Sequence, residues 1–102
     1  MLKAGQYSGG EMTEQEFRKL LADKGFDEPV WVERAPETQL DNHVHSFEAM
    51  ALITHGDITI FTEHSEKTYH AGEIFHLQPN VPHREEFGEQ GVRYLSGRKE
   101  SD

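Results

Sequence analysis

The chain has 102 residues, with 10 Lys and Arg against 19 Asp and Glu, and a formal net charge of −9 at pH 7 with histidine neutral. That balance argues against binding to a nucleic-acid backbone or an anionic membrane surface. Cysteine is absent, which excludes disulfides, thiolate metal sites and a cysteine nucleophile.

The length fits one domain, and the hydrophobic share of 34% is low enough that a homodimer sharing apolar surface is expected. No apolar run approaches the ~18–20 residues that cross a bilayer. No charged-then-apolar leader opens the sequence, so the cytoplasm is the expected compartment.

Residues 1–12 are expected to form a flexible arm, with Met12 as an alternative start. A helical segment, 13–27, follows with full punctuation. Thr13 is the N-cap, Glu16 its capping-box partner, Met12 can staple against Phe17, and Gly25 supplies the stop. Phe17, Leu20 and Leu21 form one apolar stripe, expected to pack on the outside of a β body or on a partner subunit.

Residues 28–98 read as short extended runs. The first is 30–33, and a polar stretch from Pro36 leads into a strand carrying Asn42-His43-Val44-His45. Runs 50–54 and 58–62 are expected to meet in a hairpin turn at His55-Gly56-Asp57. A turn at His64-Ser65-Glu66, a strand at 68–70, a corner at Ala71-Gly72 and a strand at 74–77 come next. Asn80 suits a left-handed turn. The last strand is expected at 92–96, with a polar tail at 99–102. Strands at intervals of ~8–12 residues indicate a sandwich or barrel.

His43 and His45, two apart on a strand, can aim both imidazoles at one point while Val44 faces away. His83, returning after Asn80-Val81-Pro82, is the candidate third ligand. Neutral imidazole suits iron, nickel, copper and zinc. His55, His64 and His70 fall at turns and are expected in solvent. His76 lies between Phe75 and Leu77 and enters a cavity only if those two face outward, where it would act as an acid–base or hydrogen-bonding group. Glu48 either orients a ligand histidine or meets solvent or the helix. It joins the metal directly only if a bulge separates it from His45. Arg84-Glu85-Glu86 reads as a solvated strand edge, with Arg84 placed to meet an anionic substrate at a cavity mouth. Tyr94 and Trp31 are expected to pack. Phosphate loops and nucleophilic serine settings are absent.

In this register the chain resembles the small single-domain cupins. Their first motif, G-x5-H-x-H-x3-4-E-x6-G, is met by His43, His45 and Gly56. The second, G-x5-P-x-G-x2-H-x3-N, is met by Gly72 and His83. Ala49 replaces the family's glutamate, Gln78 and Asn80 its proline and glycine, and Phe87 its asparagine. The resemblance spans 28–98. It implies an all-β jelly-roll barrel, or double-stranded β-helix, with the helix outside. It also implies one divalent transition metal (iron, nickel, zinc or manganese) on His43, His45 and His83, as in the three-histidine subgroup that includes iron(II) dioxygenases. The expected function is metal-dependent dioxygenation of a small organic molecule. The alternative is a non-catalytic small-molecule-binding or sensor cupin. With three neutral ligands and His76 as the sole acid–base candidate, oxidation is expected rather than hydrolysis or proton transfer.

Overall fold

The computed structural model describes residues 12–100. The expected arm therefore lies outside the described residues apart from Met12, as do the last two residues of the expected tail. One helix precedes six strands: α1 Glu14–Asp23, β1 Val30–Arg34, β2 Gln39–His43, β3 Phe47–Phe61, β4 Glu66–His70, β5 Ile74–Leu77 and β6 His83–Glu100.

Two long strands organise everything else. Residues 47–56 of β3 pair with 92–100 of β6, and residues 58–61 of β3 pair with 84–87 of β6. β1 and β5 flank the first of these pairings, while β2 and β4 flank the second. All the pairings are antiparallel, so a single hydrogen-bonded sheet folds into two layers that share their central strands. Ile58, Ile60 and Phe87 from one layer pack against Ala51, Phe75, Val92 and Tyr94 from the other, forming the interior.

The hairpin expected at His55-Gly56-Asp57 does not form. β3 continues through it as one strand, with register shifts between Ile53 and His55 and between Gly56 and Ile58. Gly56 has φ 74° and Gly91 has φ 71°. A Cβ on Gly56 would fall 1.9 Å from the Gly91 carbonyl oxygen. The positive φ thus serves a bulge where both strands bend together, a role glycine fills as readily as a turn. β6 is likewise longer than the expected 92–96 and absorbs Lys99 and Glu100 from the expected tail.

α1 forms as its caps direct. Thr13 Oγ1 accepts from the Glu16 amide at 3.1 Å, and the Thr13 amide donates to Glu16 Oε1 at 2.9 Å. At the other end the Gly25 amide donates to the Ala22 carbonyl and the Phe26 amide to the Leu21 carbonyl, the paired closing bonds of a glycine-terminated helix. Phe17 and Leu21 are fully buried against Met50, Leu52 and Leu95, on the outer face of the β1-β6-β3-β5 layer. A Cβ on Gly97 would lie 2.8 Å from a Leu21 methyl, so that glycine leaves the slot into which Leu21 fits. The Phe17 and Leu21 side chains are therefore spent within this chain and are not free for a partner subunit.

Phe17→Ala is expected to lower the unfolding free energy by about 3–5 kcal/mol, whereas Lys19→Ala on the exposed helix face changes it by less than about 0.5 kcal/mol. Urea denaturation followed by circular dichroism checks both.

Candidate metal centre

β2 pairs with β6 in a register that shifts between Leu40 and His43. The irregularity turns His43, the last residue of the strand, inward beside the start of β6, where it sits opposite His83. His45 lies past the end of β2, in the link to β3. The two histidines therefore do not share one regular strand as expected, although Val44 between them does point outward. The His45 ring stacks on Phe47 at 4.7 Å, and the His45 carbonyl accepts from the Asn80 amide at 2.7 Å. Asn80 takes the left-handed conformation, φ 63°, in the turn that delivers His83. The ring centroids of His43, His45 and His83 lie 4.3–5.2 Å apart.

A fourth residue completes the group. Glu85 follows His83 by two positions on β6, so it shares the inward face, and it is only 5% exposed. The solvated edge expected for Arg84-Glu85-Glu86 is thus wrong at its middle residue, because alternation sends His83, Glu85 and Phe87 inward. Glu85 Oε2 lies 3.1 Å from His83 Nε2 and 3.3 Å from His43 Nε2. Its Oε1 is buried without a hydrogen-bond partner among the described residues. His43, His45, His83 and Glu85 each offer a ligand atom within 4.8 Å of the others.

The hydrogen bonds on the far side of each ring decide what these atoms need. His43 Nδ1 faces the Asp41 carbonyl at 2.6 Å, and His83 Nδ1 faces the Val81 carbonyl at 3.0 Å. Both nitrogens must donate there, so in the neutral ring each Nε2 carries a lone pair. Two lone pairs then confront an ionised carboxylate oxygen, which also only accepts. Either a proton or a metal cation must sit between them, and the orphaned Oε1 offers a further oxygen to the same cation. The group therefore fits a divalent ion.

Charges within the cluster follow the same geometry. Burial works to lower the His83 pKa, but the hydrogen bonds to Glu85 and Val81 and the Glu85 charge outweigh it and raise the value above 6.5. Burial works to raise Glu85, and is outweighed by the hydrogen bond from His83 and the charges of His83, His43 and Arg34, so its pKa falls below 4.5. Burial and then the neighbouring His83 and His43 charges lower His45, which favours its neutral, lone-pair-bearing form.

The cluster opens onto a cavity of about 80 Å³ between the layers, walled on the opposite side by Arg34, Phe75, Leu77, Tyr94, Ser96 and Arg98. Tyr94 is therefore a wall of the site as well as a packing residue. Its phenol is pushed up to about 12 by burial and then by the Glu85 charge, so it holds its proton at neutral pH. Trp31, expected to pack, is 38% exposed and stacks under Arg93.

The remaining candidates lie elsewhere. Phe75 and Leu77 face the cavity, so His76 points to the outer face. Glu48 does too, since the pairing of 47–52 with β6 is regular and no bulge re-aims it. His76 Nε2 and Glu48 Oε2 meet there at 2.5 Å. Arg84 is also outside, stacked 3.9 Å over the Phe61 ring and paired with Glu86.

The pKa directions set a pH dependence for the metal-free protein. Glu85's lowered pKa contributes stability that is complete above 4.5 and lost as pH falls through its folded value. His83's raised pKa contributes stability complete below 6.5 and lost as pH rises through its folded value. His45 acts in the opposite sense below 6.5, and this contribution largely cancels when two variants that both retain His45 are compared. The gap in thermal midpoint between wild type and Glu85→Gln, both metal-free, is expected to be widest between pH 4.5 and 6.5 and to shrink above that range. Scanning calorimetry across pH 4–9 checks it.

No protein-family model matches the chain, and no curated protein matches it in sequence. Solved structures do match. A protein of unknown function from Rhizobium leguminosarum superposes with a TM-score of 0.67 at 12% identity, over 89% of this chain and 96% of that one. A cupin superfamily protein from Desulfitobacterium hafniense gives 0.62 at 11% identity, over 70% of this chain and 64% of that one. The DMSP lyase DddQ from Ruegeria pomeroyi gives 0.62 at 17% identity, over 68% of this chain and 36% of that one. The match thus spans less than two thirds of the Desulfitobacterium protein and about a third of the lyase. Two antiparallel layers sharing bent central strands, with the helix packed outside, make this chain a small protein of the cupin fold.

Proposed function

We propose that the chain is a mononuclear metal-dependent enzyme in which His43, His45, His83 and Glu85 hold one divalent transition metal and a small organic molecule is oxidised in the adjoining cavity. The observation that carries this reading is the confrontation of the His43 and His83 Nε2 lone pairs with the buried Glu85 carboxylate. Four protein ligands leave positions open on an octahedral ion, unlike a closed structural site. When bound, a redox-active ion such as iron(II) supplies a place for dioxygen and the organic molecule to meet. The chain's own residues do the rest. The Asp41 and Val81 carbonyls orient two imidazoles, and Phe75 and Leu77 line the cavity against water. In this reading Glu85 adds a carboxylate to the three expected imidazoles, from the second motif segment rather than at the position Ala49 occupies.

Tyr94 supports a second reading. A protonated phenol on the cavity wall can deliver or relay a proton, so metal-assisted elimination stands beside oxidation. The Ruegeria neighbour of the same fold is described as a lyase.

Elemental analysis of the purified protein is expected to give about one equivalent of metal, and Glu85→Gln and His45→Ala are each expected to bind it roughly tenfold or more weakly. Equal metal content in wild type and both variants would end the proposal. Oxygen uptake by anaerobically iron-loaded protein, across thiols, β-diketones and small acids, then separates the reactions. Uptake abolished by His83→Ala supports oxidation. Substrate loss without oxygen uptake, abolished by Tyr94→Phe, supports elimination. Tight binding with neither outcome indicates a carrier or sensor.

A further inference from the structure

The five arginines of the chain divide sharply. Arg18 pairs with Glu14 and Glu28, Arg84 with Glu86, and Arg93 with Glu33. Arg34 and Arg98, both exposed, have no ion-pair partner among the described residues, and both stand on the rim of the cavity facing the histidine cluster. In a chain with 19 acidic residues the two guanidiniums do not lack partners for want of carboxylates. Their fork geometry matches a carboxylate from outside the chain.

We infer that the molecule taken into this cavity is a small carboxylic acid, held at its carboxylate by Arg34 and Arg98 while its other end reaches the open metal positions. This rests on the metal-centre reading above and names its substrate class. Arg98 is held over the Phe47 ring at 4.5 Å, and Phe47 in turn stacks on His45 at 4.7 Å. One stack thus fixes the spacing between a guanidinium and a candidate ligand. Arg34 lies beside the Tyr94 phenol, and its charge is felt at Glu85. Phe75 and Leu77 offer apolar contact to a short carbon backbone. The cavity is small, about 80 Å³, which favours a short acid over a long one. Chelating acids with a second oxygen function, such as 2-oxo acids and short dicarboxylates, suit it best. The overall charge of −9 repels anions, and the two arginines place positive charge locally at the cavity rim.

Isothermal titration of zinc-loaded protein with acetate, oxalate, pyruvate and malonate, and with neutral malonamide, tests the inference without relying on turnover. At least one acid is expected to bind, and malonamide at least tenfold more weakly than malonate. Arg34→Gln and Arg98→Gln are each expected to weaken the acid about tenfold or more, with Arg98→Lys intermediate and zinc content unchanged in all three. Binding of no acid, equal binding of malonamide and malonate, or unchanged acid affinity in both glutamine variants overturns the inference. If wild type takes up no zinc, the metal-centre reading is the one that fails. The arginines are then read directly in metal-free protein by their Nε–H resonances, whose shift on adding malonate sustains the acid class and whose constancy overturns it.

Discussion

The bend shared by β3 and β6 is the constraint on which the rest of this molecule depends. Gly56 backs onto the Gly91 carbonyl closely enough to leave no room for a side chain, so the two longest strands turn at the same level and each passes from one layer to the other. Without that turn the pair would remain an open ribbon with no enclosed interior. With it, residues on one face of each half are driven together, and Ile58 and Ile60 meet Ala51 and Tyr94.

The bend also divides labour between the layers. The candidate ligands come from β2, the β2–β3 link and the start of β6, all at one layer. The groups on the opposite wall of the cavity, Arg34, Tyr94, Ser96 and Arg98, come from β1 and the far half of β6. β6 therefore supplies both sides of the cavity, with His83 and Glu85 before the bend and Tyr94 to Arg98 after it. Alteration of the bend would change the distance between the histidine cluster and the two arginines without touching any of them.

What was legible in the sequence was local. Thr13, Glu16 and Gly25 mark α1 because capping is settled within a few residues, and the imidazole trio is marked by spacing and by the cupin motif register. Glu85 was hidden by its neighbours, since a run of three charged residues reads as solvent-facing. Only the two-residue step from His83 singles it out, the same step that separates His43 from His45. The orientation of Glu48 and His76 was not legible, because alternation assigns residues to opposite faces without saying which face is inside. Gly56 was ambiguous for a related reason. A positive φ serves a hairpin or a bulge equally, and the residue that decides between them, Gly91, lies on another strand. Arg34 and Arg98 carry no local signature at all, and their significance emerges from the partners they lack.

One backbone bond links the two loops that carry histidines. The Asn80 amide donates to the His45 carbonyl at 2.7 Å, so the segment bearing His45 hangs from the turn that delivers His83. Neither loop can swing away alone without leaving a peptide group unmatched. The two segments are tied to one another through the backbone. Hydrogen exchange at the Asn80 amide therefore reports the joint release of the two segments.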